Sequence, residues 1–303
     1  MKRIAIFLLI ILSLFPLMAA KKTLNYYSVQ NDNKVIPINL NWTITKKKDS
    51  SIGYESDLAK ALLVLSRSIY VSEEVFIENS KKLGFSKIFY HDSKNDISQP
   101  VVGFAHQKHW GTNYYLIVVR GTSSFDDFLT DLKSQIDYFE EASSFVHDEF
   151  ILYLNNNLKK SEEKAKKEKN VFFITGHSLG GAVSNLLSKS IEEFADRSKI
   201  FTYTFESPST GISEEERTST NAINIINEND FIPTIPHPEG RYGKDISFYP
   251  DMLDSLIYKE ISGKERDELN DFSLSDKWSN HLLDCTLSYV LSRELREERV
   301  KKE

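Results

Sequence analysis

Cysteine is almost absent from this 303-residue sequence, in which Cys285 is the single one. The chain therefore has no internal disulfide, and its stability must come from a hydrophobic core, which this length permits. Cys285 also lies too far from the N-terminus to be a lipid-attachment site. Its surroundings, HLLDCTLSYVL, are amphipathic, so we expect Cys285 to be a small buried apolar residue.

An excess of positive charge is also missing. The formal net charge is −6, and acidic and basic residues are interspersed along the chain. Nucleic-acid-binding proteins usually carry a basic face, so this balance argues against a nucleic-acid partner. No group of residues has the spacing of metal ligands, and neither a metal ion nor an organic cofactor is implied.

The sequence lacks an apolar run long enough to span a bilayer comfortably. Its longest run, residues 4–17, contains Pro16 near its end and falls short of the roughly 20 residues that a spanning helix needs. Two basic residues precede this run, and two alanines follow it, as in a secretory signal peptide. We predict a signal peptide at residues 1–20, cleaved after Ala20, and a protein that is secreted or held in the cell envelope. An uncleaved membrane anchor is the alternative.

Internal repeats and long linkers are not seen, so we predict a single domain over residues 21–303 with its core at about residues 85–290. Residues 23–50 are polar with scattered β-formers, and we interpret them as a loosely packed N-terminal segment. Amphipathic helix patterns at residues 56–70 and 73–83 follow. Apolar strand patterns then come in turn: KIFY, VVGFAH, NYYLIVVR, VFFIT, KIFTYTF and NAINII. Helix patterns alternate with the later ones, which predicts an α/β fold with a mostly parallel central sheet and helices on both faces.

Residues 171–184, VFFITGHSLGGAVS, place a serine between glycines where a buried strand pattern becomes a helix pattern. A serine hydroxyl is a poor nucleophile unless a base removes its proton. It must also stand at the edge of the sheet, which a sharp strand-to-helix turn achieves by forcing the serine into strained dihedral angles. Side chains two residues away on either side would collide there. Gly176 and Gly180 avoid the collision, so Ser178 is the predicted nucleophile.

Several motifs, which appear along the chain in the family's order, resemble the class 3 lipases, the fungal-lipase-like branch of the α/β-hydrolase superfamily. GHSLGGA is similar to the nucleophile elbow of that family. VVRGTSSFDDFLTDL is similar to its strand ending in R-G-[ST] and the helix that follows. FVHDEFILYL and YTFESPSTG resemble two further family segments, although Glu206 stands where glycine is typical. The resemblance covers roughly residues 85–290 and implies an α/β-hydrolase fold and a serine esterase of lipase type.

A serine hydrolase of this fold places its acid after the nucleophile and its histidine after the acid. Two acids, Glu228 and Asp230, follow the strand pattern NAINII, and two histidines, His237 and His281, follow those acids. The segment NENDFIP resembles the family's N-x-x-D-x-V-P, which implies Asp230 as the acid. SNHLLDCTLSYV resembles the H-x-x-x-Y type of ending in the family. His281 is therefore the predicted base, with His237 as the alternative.

The negative oxygen of a tetrahedral intermediate must be met by fixed hydrogen-bond donors. One predicted donor is the backbone N–H of Leu179, the residue after the nucleophile. By resemblance the second is Thr122, which offers its N–H and its hydroxyl, and Asp131 is a candidate to orient that hydroxyl. In the lipase family a lid precedes the segment that FVHDEF resembles. Residues 133–145 are either a short lid of this kind or an ordinary connecting loop.

These expectations together describe a secreted serine esterase or lipase. It would hydrolyse carboxylic ester bonds of lipids, at a lipid–water interface where the substrate is aggregated, through an acyl-enzyme intermediate. No protein partner can be inferred. A phospholipase or another non-triglyceride esterase of the same fold is an alternative, and a non-catalytic acyl-binding protein that kept the fold is a more distant one. A peptidase would use the same three residues, but the family resemblance opposes it.

Overall fold

The computed structural model describes residues 22–45, 53–92, 99–121, 135–236, 240–264 and 280–300. The predicted signal peptide lies outside these ranges, and so do Thr122, Asp131 and His237. Within them, no helix has the length and apolar character needed to cross a membrane.

The described chain is organised around a seven-stranded sheet whose strands lie side by side in chain order, β3 to β9. The strands of the protein are β1 (Lys22–Tyr27), β2 (Val35–Leu40), β3 (Lys87–His91), β4 (Val102–His109), β5 (Thr112–Val119), β6 (Lys169–His177), β7 (Ile200–Phe205), β8 (Ala222–Asn227) and β9 (Lys244–Phe248). Strands β3, β4 and β5 pair antiparallel, whereas every pairing from β5 to β9 is parallel. The prediction of a mostly parallel sheet is therefore confirmed.

Helices cover both faces of the sheet. They are α1 (Ser56–Val71), α2 (Glu73–Leu83), α3 (Gln135–Asn157), α4 (Glu162–Lys166), α5 (Leu179–Ser190), α6 (Glu214–Arg217), α7 (Met252–Ser262) and α8 (Leu283–Val300). One apolar cluster joins α1, α2, α7 and α8 to the first face. A second cluster joins α3 and α5 to the opposite face. The central strands are consequently buried on both sides, which explains their nearly unbroken apolar runs.

The interpretation of residues 23–50 as a loosely packed segment is wrong for the part that the structure describes. Strands β1 and β2 form an antiparallel hairpin. Their alternate side chains, including Leu24, Tyr26 and Ile38, are buried in the same cluster as α1 and α8. The alternation of apolar and polar residues along β1 is the signal of a half-buried strand, and its scattered polar residues are the outward-facing ones.

Asp284 in α8 fastens this hairpin to the rest of the protein. Its side chain is fully buried. The carboxylate accepts hydrogen bonds from the hydroxyls of Tyr26 and Ser28 at 2.7 and 2.8 Å. It also accepts the backbone N–H groups of Val29 and Gln30 at 2.9 and 3.0 Å. Because Asp284 follows His281 by three residues, the hairpin also holds the start of the helix next to the predicted base.

Replacing Asp284 by alanine is expected to lower the free energy of unfolding by about 3–5 kcal/mol, since each buried donor left without a partner costs about 1–3 kcal/mol. Urea denaturation followed by circular dichroism measures this loss. Asp148→Ala is the matched control, because Asp148 lies in a helix with 80 % of its side chain exposed. An equal, small change in both variants would show that the buried carboxylate does not hold the hairpin.

The segment assigned to a short lid or a connecting loop is described from residue 135 onward, and there it is the first part of helix α3. The connecting-loop interpretation is therefore wrong for these residues. Phe139 is 1 % exposed and packs against Leu179, Ala182 and Ile232. The N-terminal turns of α3 thus form an apolar wall beside the serine-bearing turn.

Candidate active site

Ser178 lies on the turn between strand β6 and helix α5, as the glycine pattern predicts. Its backbone has φ 57° and ψ −132°, in a region that side chains rarely adopt. The strain is held by neighbours, because the Ser178 N–H donates to the Phe205 carbonyl at 3.0 Å and the Ser178 carbonyl accepts the first hydrogen bonds of α5. Ser178 is 2 % exposed, and its Oγ has no hydrogen-bond partner among the described residues.

The two glycines that flank the serine are required by close backbone contacts. A Cβ atom at position 176 would lie 2.2 Å from the carbonyl oxygen of Gly180. A Cβ atom at position 180 would lie 2.3 Å from the carbonyl oxygen of Val119, at the end of the neighbouring strand. Gly180 therefore allows α5 to begin directly against the end of β5. This contact brings the Ser178 turn next to the loop that starts at residue 120.

The start of helix α5 supplies donors to the space around the serine. Leu179 is the first residue of α5, and the first N–H groups of a helix have no acceptor within the helix. The positive end of the helix dipole also faces this space. Leu179, the first predicted oxyanion donor, offers its backbone N–H next to Ser178, whereas Thr122, the second, lies outside the described residues.

The predicted acid and base are in direct contact. Asp230 Oδ2 and His281 Nδ1 are 2.6 Å apart, and both side chains are fully buried. Asp230 follows strand β8, where its other oxygen accepts the Ile232 N–H at 3.0 Å. His281 lies two residues before the start of α8. The acid and base, 51 residues apart in the chain, therefore meet beside the carboxyl ends of the parallel strands.

Burial governs the charges of this pair. Burial lowers the pKa of the His281 imidazole, so the ring is neutral and able to accept a proton. Burial raises the pKa of the Asp230 carboxyl, while the hydrogen bond from Ile232 acts in the opposite direction. The alternative acid, Glu228, is exposed. The alternative base, His237, lies outside the described residues.

His177, the residue before the nucleophile, fixes the backbone of His281. The His177 Nε2 atom is 2.8 Å from the His281 carbonyl oxygen, and the two ring centroids are 4.8 Å apart. Since a carbonyl can only accept, His177 Nε2 must carry the hydrogen. Burial, with His281 nearby, lowers the pKa of His177 well below its usual value, which keeps the ring neutral. His281 is thereby tied to the residue next to Ser178.

Tyr70 in α1 completes this network. Its hydroxyl lies 3.2 Å from His177 Nδ1, which must accept because Nε2 is the protonated nitrogen. The Tyr70 oxygen accepts the Gly121 N–H at 2.9 Å. One hydroxyl therefore joins the loop before Thr122 to the serine turn and to the base. The sequence does not reveal the role of Tyr70, because nothing in a helix pattern distinguishes a tyrosine that binds a polar partner.

Removing this hydroxyl with Tyr70→Phe is expected to lower kcat for ester hydrolysis about tenfold, equivalent to about 1.4 kcal/mol, with little change in KM. The reason is that Gly121 loses its acceptor and His177 loses its donor. Steady-state kinetics on a soluble p-nitrophenyl ester provides the measurement. Tyr249→Phe is the control, since Tyr249 is 72 % exposed. An unchanged kcat in Tyr70→Phe would show that the Tyr70 hydrogen bonds do not contribute to catalysis.

The sheet, the strained serine between strand and helix, and the buried acid–histidine pair supplied later in the chain define the α/β-hydrolase fold. Within this superfamily, the model of the class 3 lipases matches residues 116–240. This segment of the chain is therefore similar to the class 3 lipases.

Individual relatives share part of this chain. A secreted mono- and diacylglycerol lipase of Malassezia globosa is 28% identical over a 178-residue alignment that covers 52% of this chain and 57% of that protein. The chain thus spans little more than half the length of this curated relative. A propeptide complex of Rhizomucor miehei lipase is 20% identical, with a TM-score of 0.48 over 65% of this chain and 69% of its own. A lipase of Yarrowia lipolytica is 16% identical, with a TM-score of 0.47, and the match covers 75% of this chain and 92% of that lipase chain.

Proposed function

We propose that this protein is a secreted serine esterase of lipase type that hydrolyses carboxylic ester bonds of lipids. The observation that carries the proposal is the buried Asp230–His281 pair, whose base is hydrogen-bonded through its backbone to the residue before Ser178. A strained serine whose preceding residue is hydrogen-bonded to the backbone of a neutral imidazole supports the assignment of an activated nucleophile.

The reaction follows from these positions. Ser178 Oγ attacks the ester carbonyl while His281 accepts its proton, and the imidazolium then gives that proton to the departing alkoxide. Asp230 holds the imidazole in the required tautomer and stabilises its positive charge. The N–H of Leu179, with Thr122 as the second donor, meets the negative oxygen. Water then attacks the acyl carbonyl while His281 accepts its proton, and the imidazolium returns that proton to Ser178 Oγ as the bond to the acyl group breaks and the carboxylic acid leaves. A hydrogen bond between serine and histidine often tightens only when substrate is bound.

The substrate class is indicated by the surroundings of the serine. The apolar cluster of Phe139, Leu179, Ala182 and Ile232 lies against the start of α5. An acyl chain placed against the partly buried side chains at its edge, Tyr138 and Ile235, would remove apolar surface from water, at about 25 cal/mol for each Å². The similarity to a mono- and diacylglycerol lipase supports glycerol esters as substrates. The leader-like residues 1–20 support export.

Labelling with a fluorophosphonate probe and hydrolysis of a short-chain p-nitrophenyl ester test the proposal. The wild type is expected to take one label per chain and to hydrolyse the ester, and Ser178→Ala to lose both, with kcat lower by about 10⁶-fold. Ser144→Ala, at an exposed serine of α3, is the control. Absence of both label and hydrolysis in the folded wild type would favour a non-catalytic acyl-binding protein.

A substrate panel then separates the lipid classes. We expect emulsified monoacylglycerol and diacylglycerol to be hydrolysed in preference to phospholipid vesicles. A preference for phospholipid vesicles would replace the acylglycerol assignment by a phospholipase, with the same three catalytic residues.

A further inference from the structure

Glu206 is a buried carboxyl group that the proposed reaction does not use. It follows strand β7 directly, on the same sheet edge as Ser178 and Asp230, and its side chain is fully buried. The backbone of Glu206 has φ 49°, in the left-handed region that glycine adopts without steric cost. The chain thus keeps a long acidic side chain at an unfavourable backbone position inside the protein.

The two oxygens of Glu206 join the elements that carry the acid and the base. Oε2 accepts the backbone N–H of Asn227 at 2.8 Å, and the Asn227 carbonyl in turn accepts the N–H of Asp230 at 2.9 Å. Oε1 lies 2.7 Å from the hydroxyl of Thr286, in the helix that follows His281. Glu206 therefore bridges the start of the Asp230 loop and the first turn of α8.

The charges around Glu206 determine which of the two buried carboxyl groups is ionised. Burial and the nearby charge of Asp230 raise the pKa of Glu206 well above its usual value, against the hydrogen bonds from Asn227 and Thr286 and the weaker effect of Arg241. Asp230 has an additional partner in the imidazole of His281. Two buried like charges are unfavourable together, which favours a proton on one of the two carboxyl groups. The ring favours charge on Asp230.

Arg241 does not neutralise Glu206 by direct contact. Its guanidinium donates to the carbonyl oxygens of Ser207 and Pro233 at 2.9 and 3.0 Å, and it pairs with Asp245 at 3.3 Å. These bonds clamp the loops after β7 and β8 together around Glu206. Arg241 accordingly fixes the backbone of the loops at Ser207 and Pro233. The Glu206 carboxyl makes the link to α8.

We propose that Glu206 is a positioning residue of the acid site that works with its carboxyl group protonated. It joins the Asp230 loop to the helix after His281 and leaves the single negative charge of the site on Asp230. A protonated carboxyl still accepts the Asn227 N–H with one oxygen and donates to the Thr286 hydroxyl, which can act as acceptor. This inference rests on the proposed function, because it assigns Asp230 and His281 their roles in ester hydrolysis.

Two substitutions separate the bridge from its charge. Glu206→Gln keeps the shape and both hydrogen bonds without a carboxyl, and we expect kcat and KM on a soluble p-nitrophenyl ester to stay within a few-fold of the wild type. Glu206→Gly relieves the left-handed backbone but removes the bridge. A displaced catalytic group loses about 10²-fold in rate, so we expect that loss in kcat with KM nearly unchanged. Glu214→Gln, at an exposed acid of α6, is the control.

Infrared spectroscopy tests the protonation without any need for activity. The wild type at pH 8 is expected to show the C=O stretch of a protonated carboxyl, and Glu206→Gln to lack that band. Absence of the band in the wild type, or a loss of kcat in Glu206→Gln as large as in Glu206→Gly, would overturn the protonated role. Wild-type kcat in a folded Glu206→Gly would overturn the positioning role. A wild type that hydrolyses no ester would instead contradict the proposed function and leave the infrared result standing.

Discussion

His281→Ala is expected to lower kcat for ester hydrolysis by about 10⁵–10⁶-fold, with KM changed only a few-fold. The loss is this large because the serine hydroxyl then has no group to accept its proton and the leaving alkoxide has no donor. Steady-state kinetics on a soluble p-nitrophenyl ester measures it, and the rate of fluorophosphonate labelling is expected to fall in parallel.

His237→Ala is the matched variant, since His237 is the other histidine that follows the predicted acid in the chain. Its kcat is expected to remain within a few-fold of the wild type. The reverse result, with His237→Ala inactive and His281→Ala active, would move the base to His237. Thermal unfolding of both variants is needed alongside, because His281 is fully buried and its imidazole fills space beside His177.

The serine turn is the part of the site that could be predicted most fully from sequence. Its requirements are local: an apolar strand, two glycines four positions apart, and a helix pattern. The structure shows why only glycine fits, since a Cβ at either position would lie within about 2.3 Å of backbone carbonyl oxygens. Local steric constraints determine which residue types can occur and can therefore be recognised in the sequence. The alternation of strand and helix patterns around this turn predicts the parallel part of the sheet.

Contacts between distant parts of the chain are harder to predict from the sequence. The hairpin of β1 and β2 carries the alternation of a half-buried strand in Leu24 and Tyr26, but its polar residues suggested loose packing. Its anchor, Asp284, is more than 250 residues away from the groups it binds. A single sequence does not reveal which buried acid meets which donors when they are so far apart.

Buried polar residues were the least predictable part of the site. Glu206 was recognised only as a departure from the glycine expected by resemblance, and the sequence does not show that its carboxyl reaches Asn227 and Thr286. His177 and Tyr70 act through hydrogen bonds across 107 residues of chain. Such residues are charged or polar in a hydrophobic environment, and their positions follow from partners that only the fold brings together.

Asp230 is the proposed acid that holds the His281 imidazole in one tautomer. Asp230→Asn is expected to lower kcat by about 10⁴-fold while the protein stays folded. A carboxylate accepts the Nδ1–H of His281 and so leaves Nε2 without hydrogen, as the proposed proton transfer from Ser178 requires. An asparagine amide can instead donate its N–H to Nδ1, which favours the tautomer with hydrogen on Nε2 and disables the base. Steady-state kinetics and labelling rates, measured with thermal unfolding, test this expectation.

Glu228→Gln is the control for Asp230→Asn, because Glu228 lies two residues earlier in the same loop and is exposed. Its kcat is expected to match the wild type. Asp230→Asn could instead keep full activity while Glu206→Gln lost it. Glu206 would then be the ionised carboxylate that supports His281, and Asp230 would not be the catalytic acid. Asn227 is hydrogen-bonded to the Glu206 carboxyl and to the Asp230 backbone. This pair of substitutions therefore decides which of the two buried carboxyl groups supports the imidazolium.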